Sequence, residues 1–150
     1  MLEYYMCALT VTEVARLANT TPHAVRHYTR IGLLHPERNP DNGYRLYRSA
    51  DLDRLQFIRQ AKWLGYSLIE IRAILDDANQ GRSPCPRVRE ILQKRIVTNR
   101  KQLEEMRILQ DRMEQAVAQW NDMPDGIPDG HSVCHLIESF AVSDGMSAGD

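Results

Sequence analysis

Residues 87–120 contain neither glycine nor proline, and this uninterrupted stretch limits the folds open to the chain. Pro84 and Pro86 bracket its start, where proline is tolerated in a first helical turn. The stretch therefore predicts a single helix over residues 84–120, about 50 Å long at roughly 1.5 Å per residue. Packing this helix only against the rest of the same chain would leave much of it uncovered.

Apolar residues recur along this helix with the seven-residue repeat of a coiled coil. Such a seam favours pairing with a second copy, and two polar residues within it, Asn99 and Gln110, help to fix register and orientation. The repeat predicts a homodimer. The expected interface residues are Leu92, Ile96, Asn99, Leu103, Met106, Gln110, Met113, Val117 and Trp120.

Two short helices joined by a tight turn are predicted for residues 11–30. Thr21 is a good N-cap and Pro22 suits the first helical position, so the second helix should begin at Pro22 and end before Gly32. The first should cover residues 11–18. Its inward-facing residues are expected to be Val14, Ala15 and Leu17.

Polar side chains recur at spacings of three and four along the second helix and should share one face. A helix that presents such a face after a tight turn can contact base edges and phosphates in a DNA groove. The residues expected to contact DNA from this helix are His23, Arg26, His27 and Tyr28.

A basic, aromatic hairpin is predicted next, with arms at residues 33–35 and 44–47 and a turn at residues 39–43. Guanidinium groups and tyrosine hydroxyls on a protruding ribbon can bind phosphates. A hairpin of this composition is by itself more typical of a solvated ribbon, but its position directly after the helix pair favours the wing of a winged helix-turn-helix. The candidate contacts are Arg38, Tyr44, Arg45 and Tyr47.

Two further helices are predicted after the hairpin. Ser49 should cap the third helix, which should stop at Gly65, and Ser67 with Glu70 has the spacing of a capping box that opens a fourth helix through about residue 77. The corner between them is either a second wing against the DNA backbone or a plain helical hairpin. A second wing would use Arg59, Lys62 and Tyr66.

Charge is divided unevenly along the chain. Residues 1–72 hold 10 Lys and Arg against 7 Asp and Glu, while the remainder holds 9 against 13, so nucleic acid would bind the first half. The chain has no long apolar run and no basic-then-apolar N-terminus, which predicts a cytoplasmic protein without a membrane association. It also shows no phosphate loop, paired carboxylates or nucleophile with its base, so an enzyme is not expected.

Three scattered cysteines do not make a disulfide framework. Cys85 begins the long helix, where the helix dipole favours a thiolate. His131 and Cys134 are three apart in a possible short helix of residues 131–138, and His135 is an alternative to His131. Thiolates and imidazoles suit zinc or another soft divalent ion. From spacing alone, the pattern favours two small buried cysteines beside surface histidines over a metal site, and Cys7 is expected to be incidental.

These motifs resemble the DNA-binding domain of MerR-type transcription regulators. The resemblance covers nearly half of the chain, and one departure is His27, where the family usually has an aromatic residue. The matching runs are Leu9-Thr10-Val11-Thr12-Glu13-Val14-Ala15, Val25-Arg26-His27-Tyr28, Gly32-Leu33-Leu34, Gly43-Tyr44-Arg45-Leu46-Tyr47, Leu55-Gln56-Phe57-Ile58 and Leu64-Gly65-Tyr66-Ser67-Leu68 with Glu70-Ile71.

The resemblance implies an antiparallel homodimer that binds double-stranded promoter DNA at an inverted repeat. In the family, an inducer alters the dimer so that it twists or bends the promoter and realigns its elements for RNA polymerase. Members that respond to divalent metal ions (zinc, cadmium, lead or mercury) carry a cysteine where Cys85 stands. They also have a loop that ends in a pattern like Cys134-His135-Leu136-Ile137-Glu138.

This chain departs from that pattern at the first cysteine of the loop, because the corresponding region reads Asp125-Gly126-Ile127. In an antiparallel pair, Cys85 of one subunit would meet the Cys134 loop of the other. The resemblance thus implies a shared site for a divalent ion such as Zn²⁺, with ligands drawn from Cys85, His131, Cys134 and His135.

The sequence as a whole predicts a mainly α fold with a winged helix-turn-helix domain at residues 9–78. A dimerisation coiled coil follows at residues 84–120, then an effector loop with a short helix at residues 121–140 and a disordered tail at residues 141–150. One alternative is a regulator of the same fold that senses an organic molecule or an oxidant through Cys85 and Cys134. Another is a coiled-coil adaptor that binds protein and not DNA.

Overall fold

A computed structural model describes residues 8–140 of the chain. The expectations for Cys7 and for a disordered tail at residues 141–150 lie outside this range. Within it, the fold is mainly helical, with one short antiparallel sheet. The elements are α1 (Val11–Leu17), α2 (Pro22–Arg30), β1 (Glu37–Arg38), β2 (Arg45–Leu46), α3 (Ser49–Trp63), α4 (Leu68–Asn79), α5 (Cys85–Trp120) and α6 (His135–Ser139).

Local capping explains where the early helices begin and end. The Thr21 hydroxyl accepts a hydrogen bond of 3.1 Å from the backbone N–H of Ala24, which confirms the predicted start of α2. Gly32 and Gly65, with φ of 84° and 98°, follow the C-caps of α2 and α3 in the left-handed region that favours glycine. The predicted stops at both glycines are therefore confirmed.

The two predicted serine caps have different outcomes. Ser67 and Glu70 form the predicted capping box, with hydrogen bonds of 3.2 Å and 2.8 Å between each side chain and the other residue's backbone N–H. The cap predicted at Ser49 is wrong. Arg48 is the N-cap of α3, its backbone N–H donates to Asp51 at 3.0 Å, and Ser49 is the first helical residue.

The first four helices, α1 through α4, share one compact core. Its buried apolar residues are Val14, Ala15, Ala18, Val25, Leu33, Leu34, Tyr47, Leu55, Ile58, Ala61, Tyr66, Ile71 and Ile74. The inward position predicted for Leu17 is wrong, since its side chain is 52% exposed. At about 100° per residue, Leu17 lies well away from the face that Val14, Ala15 and Ala18 bury.

The hairpin differs from its prediction in the first arm. Glu37 pairs with Leu46 and Arg38 with Arg45, so the ladder begins after residues 33–35. Leu33 and Leu34 are buried, and their backbone N–H groups donate to the carbonyl of Tyr28 at the end of α2. Because those N–H groups serve the helix terminus, they are not available to a strand. An unpredicted bridge between Leu9 and Tyr47 extends the sheet on its other side.

The chain divides into two compact units, with the boundary after Val88. In the second unit, α5 runs unbroken to Trp120, as predicted, and Trp120 meets the Phe140 ring edge-on at 6.4 Å between centroids. Surface ion pairs such as Lys94 with Glu90 support α5 only modestly. Along the described part of the chain, no helix combines the length and apolar character that crossing a membrane requires.

The serine caps give a direct test of these helix termini. Ser67→Ala removes the hydroxyl that caps α4 and should lower the free energy of unfolding by about 1 kcal/mol. Ser49→Ala is the matched control and should change it by no more than about 0.5 kcal/mol, because Ser49 is not a cap. Urea denaturation followed by circular dichroism measures both. A larger loss for Ser49→Ala than for Ser67→Ala would contradict the assignment.

Candidate functional site

The second helix, α2, presents a polar face to solvent because its apolar side is held in the core. Val25 is completely buried, and His23, Arg26 and Arg30 are exposed. His27 is half-buried, with its Nδ1 atom 3.1 Å from the Arg30 guanidinium. The predicted polar face therefore exists, and its exposed cations include Arg26, the residue next to the buried Val25.

A groove of about 740 Å³ lies between α2 and the hairpin. Three arginines line it from three different elements: Arg26 from α2, Arg38 from β1 and Arg45 from β2. Tyr44, which is 73% exposed, lies at the same groove. None of the described residues that line the groove is acidic. This concentration of positive charge in a concave surface attracts a polyanion.

Two of the tyrosines predicted to contact DNA are inside the core, and those predictions are corrected. Tyr47 is completely buried, and its hydroxyl shares a hydrogen bond of 2.9 Å with the Thr29 hydroxyl. Tyr66 is 4% exposed and donates from its hydroxyl to the Val88 carbonyl at 2.8 Å. Both hydroxyls bind partners within the protein, so neither reaches a phosphate in this structure.

Tyr28 has an intermediate environment. It is half-buried beside His27, with 5.9 Å between the ring centroids. Burial raises the pKa of the Tyr28 hydroxyl, and the nearby positive charge of Arg59 opposes that rise. The hydroxyl therefore stays protonated at neutral pH and is a hydrogen-bond donor.

The corner between α3 and α4 keeps its two predicted cations at the surface. Lys62 is exposed, and Arg59 donates from Nη1 to the Ala18 carbonyl at 2.6 Å, which ties α3 to the end of α1. Sequence reasoning missed Trp63, which is 88% exposed and lines a groove with Arg59. Its position off the buried stripe of α3, which contains Leu55 and Ile58, was the available signal.

The candidate effector residues lie at two separate places in the chain. Cys85 is exposed at the first residue of α5, and its backbone N–H donates to the Ser83 hydroxyl at 3.3 Å. Cys134 is half-buried and is the N-cap of α6. The short helix predicted at residues 131–138 is corrected to His135–Ser139, so His131 and Cys134 do not share a helical turn.

Carboxylates, not a helix, order the segment before α6. An Asp129 oxygen accepts from the backbone N–H groups of His131 and Ser132, both at 2.9 Å. Glu138 accepts from the Ser132 hydroxyl at 2.6 Å and from the Val133 N–H at 2.8 Å. These bonds lower the pKa of both carboxyl groups, the His131 N–H being the largest cause for Asp129 and the Ser132 hydroxyl for Glu138.

His135 lies against the backbone of Gly126. A Cβ atom at residue 126 would overlap the His135 imidazole, so only glycine fits this contact as it stands. His131 is exposed nearby in sequence. Across residues 8–140, no three His, Cys, Asp or Glu side chains lie close enough together to hold a metal ion.

Comparison with known proteins identifies the family. The family model described as MerR HTH family regulatory protein matches residues 9–78, and the one described as MerR, DNA binding matches residues 52–116. The HTH-type transcriptional regulator slr0701 of Synechocystis sp. is 39% identical over 73% of this chain and 80% of its own length. The chain belongs to the MerR family. It is a DNA-binding transcription regulator and not an enzyme.

Two other similar proteins match over most of this chain. The regulator ZntR of Escherichia coli K12 is 29% identical over 87% of this chain and 90% of its own. The crystal structure of the transcription regulator PbrR691 from Ralstonia metallidurans in complex with lead(II) has a TM-score of 0.68 and 25% identity. That match covers 89% of this chain and 99% of PbrR691.

Replacing two of the three groove arginines, one at a time, tests the proposed DNA interface. Arg26→Ala and Arg45→Ala should each weaken DNA binding by about 1 to 3 kcal/mol while leaving the fold intact. Fluorescence anisotropy with a duplex that the wild-type protein selects from a random pool, at fixed salt, measures the affinity. Arg112→Ala, an exposed arginine on α5, is the control and should bind as the wild type does. Unchanged affinity in both groove variants would reject the interface.

Proposed function

We propose that this MerR-family regulator binds an inverted-repeat promoter as a homodimer and changes transcription when it binds a divalent metal ion of the zinc type. The convergence of Arg26, Arg38 and Arg45 on one groove free of described acidic residues carries the DNA-binding part of the proposal. Promoter DNA, a second copy of the chain and RNA polymerase at the promoter are the proposed partners.

In this proposal α2 enters the major groove and the hairpin contacts the flanking backbone. Arg26, exposed on α2, contacts base edges or phosphates, and Arg38 and Arg45 contact phosphates. Tyr44 can add a phosphate hydrogen bond from its exposed hydroxyl. His23, His27 and Tyr28 remain proposed contacts from α2, and Arg59 and Lys62 remain proposed contacts from the α3–α4 corner.

The surface of α5 supports the homodimer. Most apolar side chains in its seam are about half exposed or more, including Ile96 at 48%, Leu103 at 69% and Met113 at 53%. Leaving several such side chains in water is costly, at about 25 cal/mol for each Å² of apolar surface that could be buried. A second α5 covers the seam along the whole helix and also places two α2 helices on one DNA site.

A charge placed in the seam tests this assembly. Leu103→Glu would bury a carboxylate in an apolar layer and should shift the chain to a monomer at low micromolar concentration. Lys101→Glu is the control, because residue 101 is exposed on the outer side of α5, in the heptad that precedes Leu103. Sedimentation equilibrium measures the mass. A dimeric Leu103→Glu variant would show that α5 is not the main interface.

Two observations support a metal ion as the effector. Cys85 is exposed at the first residue of α5, and Cys134 is half-buried at the N-cap of α6, with His135 as the next residue in the chain. Zinc takes about four nitrogen and sulfur ligands in protein sites, and the described residues of one chain do not bring enough of them together. A site shared between Cys85 of one subunit and Cys134 of the other resolves that shortage.

The contact between His135 and Gly126 supports an imidazole as the remaining ligand. Residue 126 lies in the loop region where the resemblance implies a first cysteine, and here the imidazole occupies the space beside its backbone. We therefore favour His135 over His131 as the group that replaces this thiolate. The bound ion would favour one of two dimer conformations, and the promoter would be twisted or bent accordingly.

Mixed dimers test the shared site. A dimer with one Cys85→Ser subunit and one Cys134→Ser subunit should bind one zinc ion, because one of its two shared sites keeps both thiolates. The wild-type dimer should bind two, and the two homodimeric variants none tightly. Each homodimeric variant should still bind DNA.

Two tagged chains purified in sequence under reducing conditions, with zinc measured by mass spectrometry, give the stoichiometry. Cys7→Ser is the control, since the proposed site does not include Cys7. No tightly bound ion in the mixed dimer would show that each site lies within one subunit. A wild-type protein that responds to an oxidant but not to zinc would favour a redox sensor instead.

A further inference from the structure

The first turn of α5 is fastened to the DNA-binding part of the chain by two adjacent residues. The Arg87 side chain binds Asp77 near the end of α4, with Nε 2.7 Å from Oδ2 and Nη2 3.3 Å from Oδ1. The next residue, Val88, accepts the Tyr66 hydroxyl at 2.8 Å through its carbonyl. Both contacts lie within the first compact unit, which ends at Val88.

Asp77 is the one buried charged residue in the part of the chain that the structure describes, at 6% exposed. A second guanidinium, that of Arg82, reaches its Oδ1 at 3.2 Å, and the Arg82 backbone N–H donates to the Asp77 carbonyl at 2.9 Å. Burying a carboxylate is unfavourable unless it is paired. Asp77 is paired twice, once from the α4–α5 connection and once from α5 itself.

The geometry of this pairing fixes direction as well as distance. A guanidinium that binds both oxygens of a carboxylate holds the two groups in one plane, which a single point contact does not do. Rotation or translation of the first turn of α5 would therefore break at least one of the two Arg87 hydrogen bonds. We call Asp77, Arg82 and Arg87 the clasp.

The clasp lies next to the exposed thiol of the proposed effector site. Cys85 begins α5 two residues before Arg87, so both residues belong to the same first helical turn. A ligand that moves Cys85 moves the backbone that carries Arg87. Asp77, in turn, belongs to α4, whose Ile71 and Ile74 are buried in the core of the DNA-binding part. Three residues, Cys85, Arg87 and Asp77, thus connect the thiol to the helix that is buried in the core.

We propose that Asp77 is a positioning residue that transmits the state of Cys85 to the DNA-binding part of the chain through Arg87. The inference rests on the proposed function, in which Cys85 takes part in metal binding. Asp77 touches neither DNA nor the ion. Its role is to convert a small displacement of the first turn of α5 into a displacement of α4.

Conservative variants separate this role from simple stabilisation. Asp77→Asn keeps the size and one acceptor oxygen of the side chain but removes the charge, and Arg87→Lys keeps the charge but removes the planar fork. Asp76→Asn is the matched control, because Asp76 is the exposed neighbour on the same helix. Thermal unfolding of each variant confirms that it is folded before the other measurements, and Arg87→Lys carries the test if Asp77→Asn is unfolded.

The experiment measures three quantities for the full chain: affinity for the selected duplex, zinc stoichiometry, and transcription in vitro with and without zinc chloride. Asp77→Asn and Arg87→Lys should bind DNA and zinc as the wild type does. Their zinc-dependent change in transcription should be about tenfold smaller than that of the wild type. The double variant should lose no more than either single variant, since both remove one connection. Asp76→Asn should respond fully.

The outcomes distinguish a failure of the clasp from a failure of the proposed function. A wild-type protein that responds to zinc together with an equally responsive Asp77→Asn and Arg87→Lys overturns the clasp and leaves the proposed function standing. A wild-type protein that binds DNA but ignores zinc overturns the proposed function and the clasp with it. Equal loss of DNA binding in the presence and absence of zinc would show that Asp77 only stabilises the fold, and would also overturn the clasp.

Discussion

The complete burial of Val25 is the packing constraint on which the DNA-binding surface depends. Because α2 is short, one buried residue at its centre fixes its rotation about its own axis, and Arg26, the next residue, must then face solvent. The same core holds Tyr47 against Thr29 and so fixes the second arm of the hairpin relative to α2. The three arginines that meet in one groove are a consequence of that packing.

Sequence reasoning succeeded where the structure depends on local chemistry. Contacts within one or two helical turns decide the Thr21 cap, the Ser67 capping box and the glycines that follow α2 and α3. They also decide where α5 begins and ends. MerR membership also followed from short motifs at fixed spacing, and the family comparisons confirm it.

The predictions that failed depend on packing between distant segments. Tyr47 and Tyr66 sit among basic residues in sequence but are inside the fold, where Thr29 and Val88 satisfy their hydroxyls. The strand period did contain a signal, since residues 44 and 47 are an odd number apart and so face opposite sides of the ribbon. Nothing comparable marked the pairing of Asp77 with Arg87, because ten residues separate them and the pairing follows no local helical spacing.

The proposed function requires that two copies of this chain together recognise two half-sites of duplex DNA through the groove lined by Arg26, Arg38 and Arg45. Its most direct test is a titration of the selected inverted-repeat duplex, and of the same half-sites separated by ten additional base pairs, at several salt concentrations. Two chains should bind each inverted-repeat duplex, binding to the separated half-sites should be weaker, and the affinity should fall linearly with salt concentration on logarithmic axes. One chain per duplex, or equal and salt-independent binding to both DNAs, would contradict it.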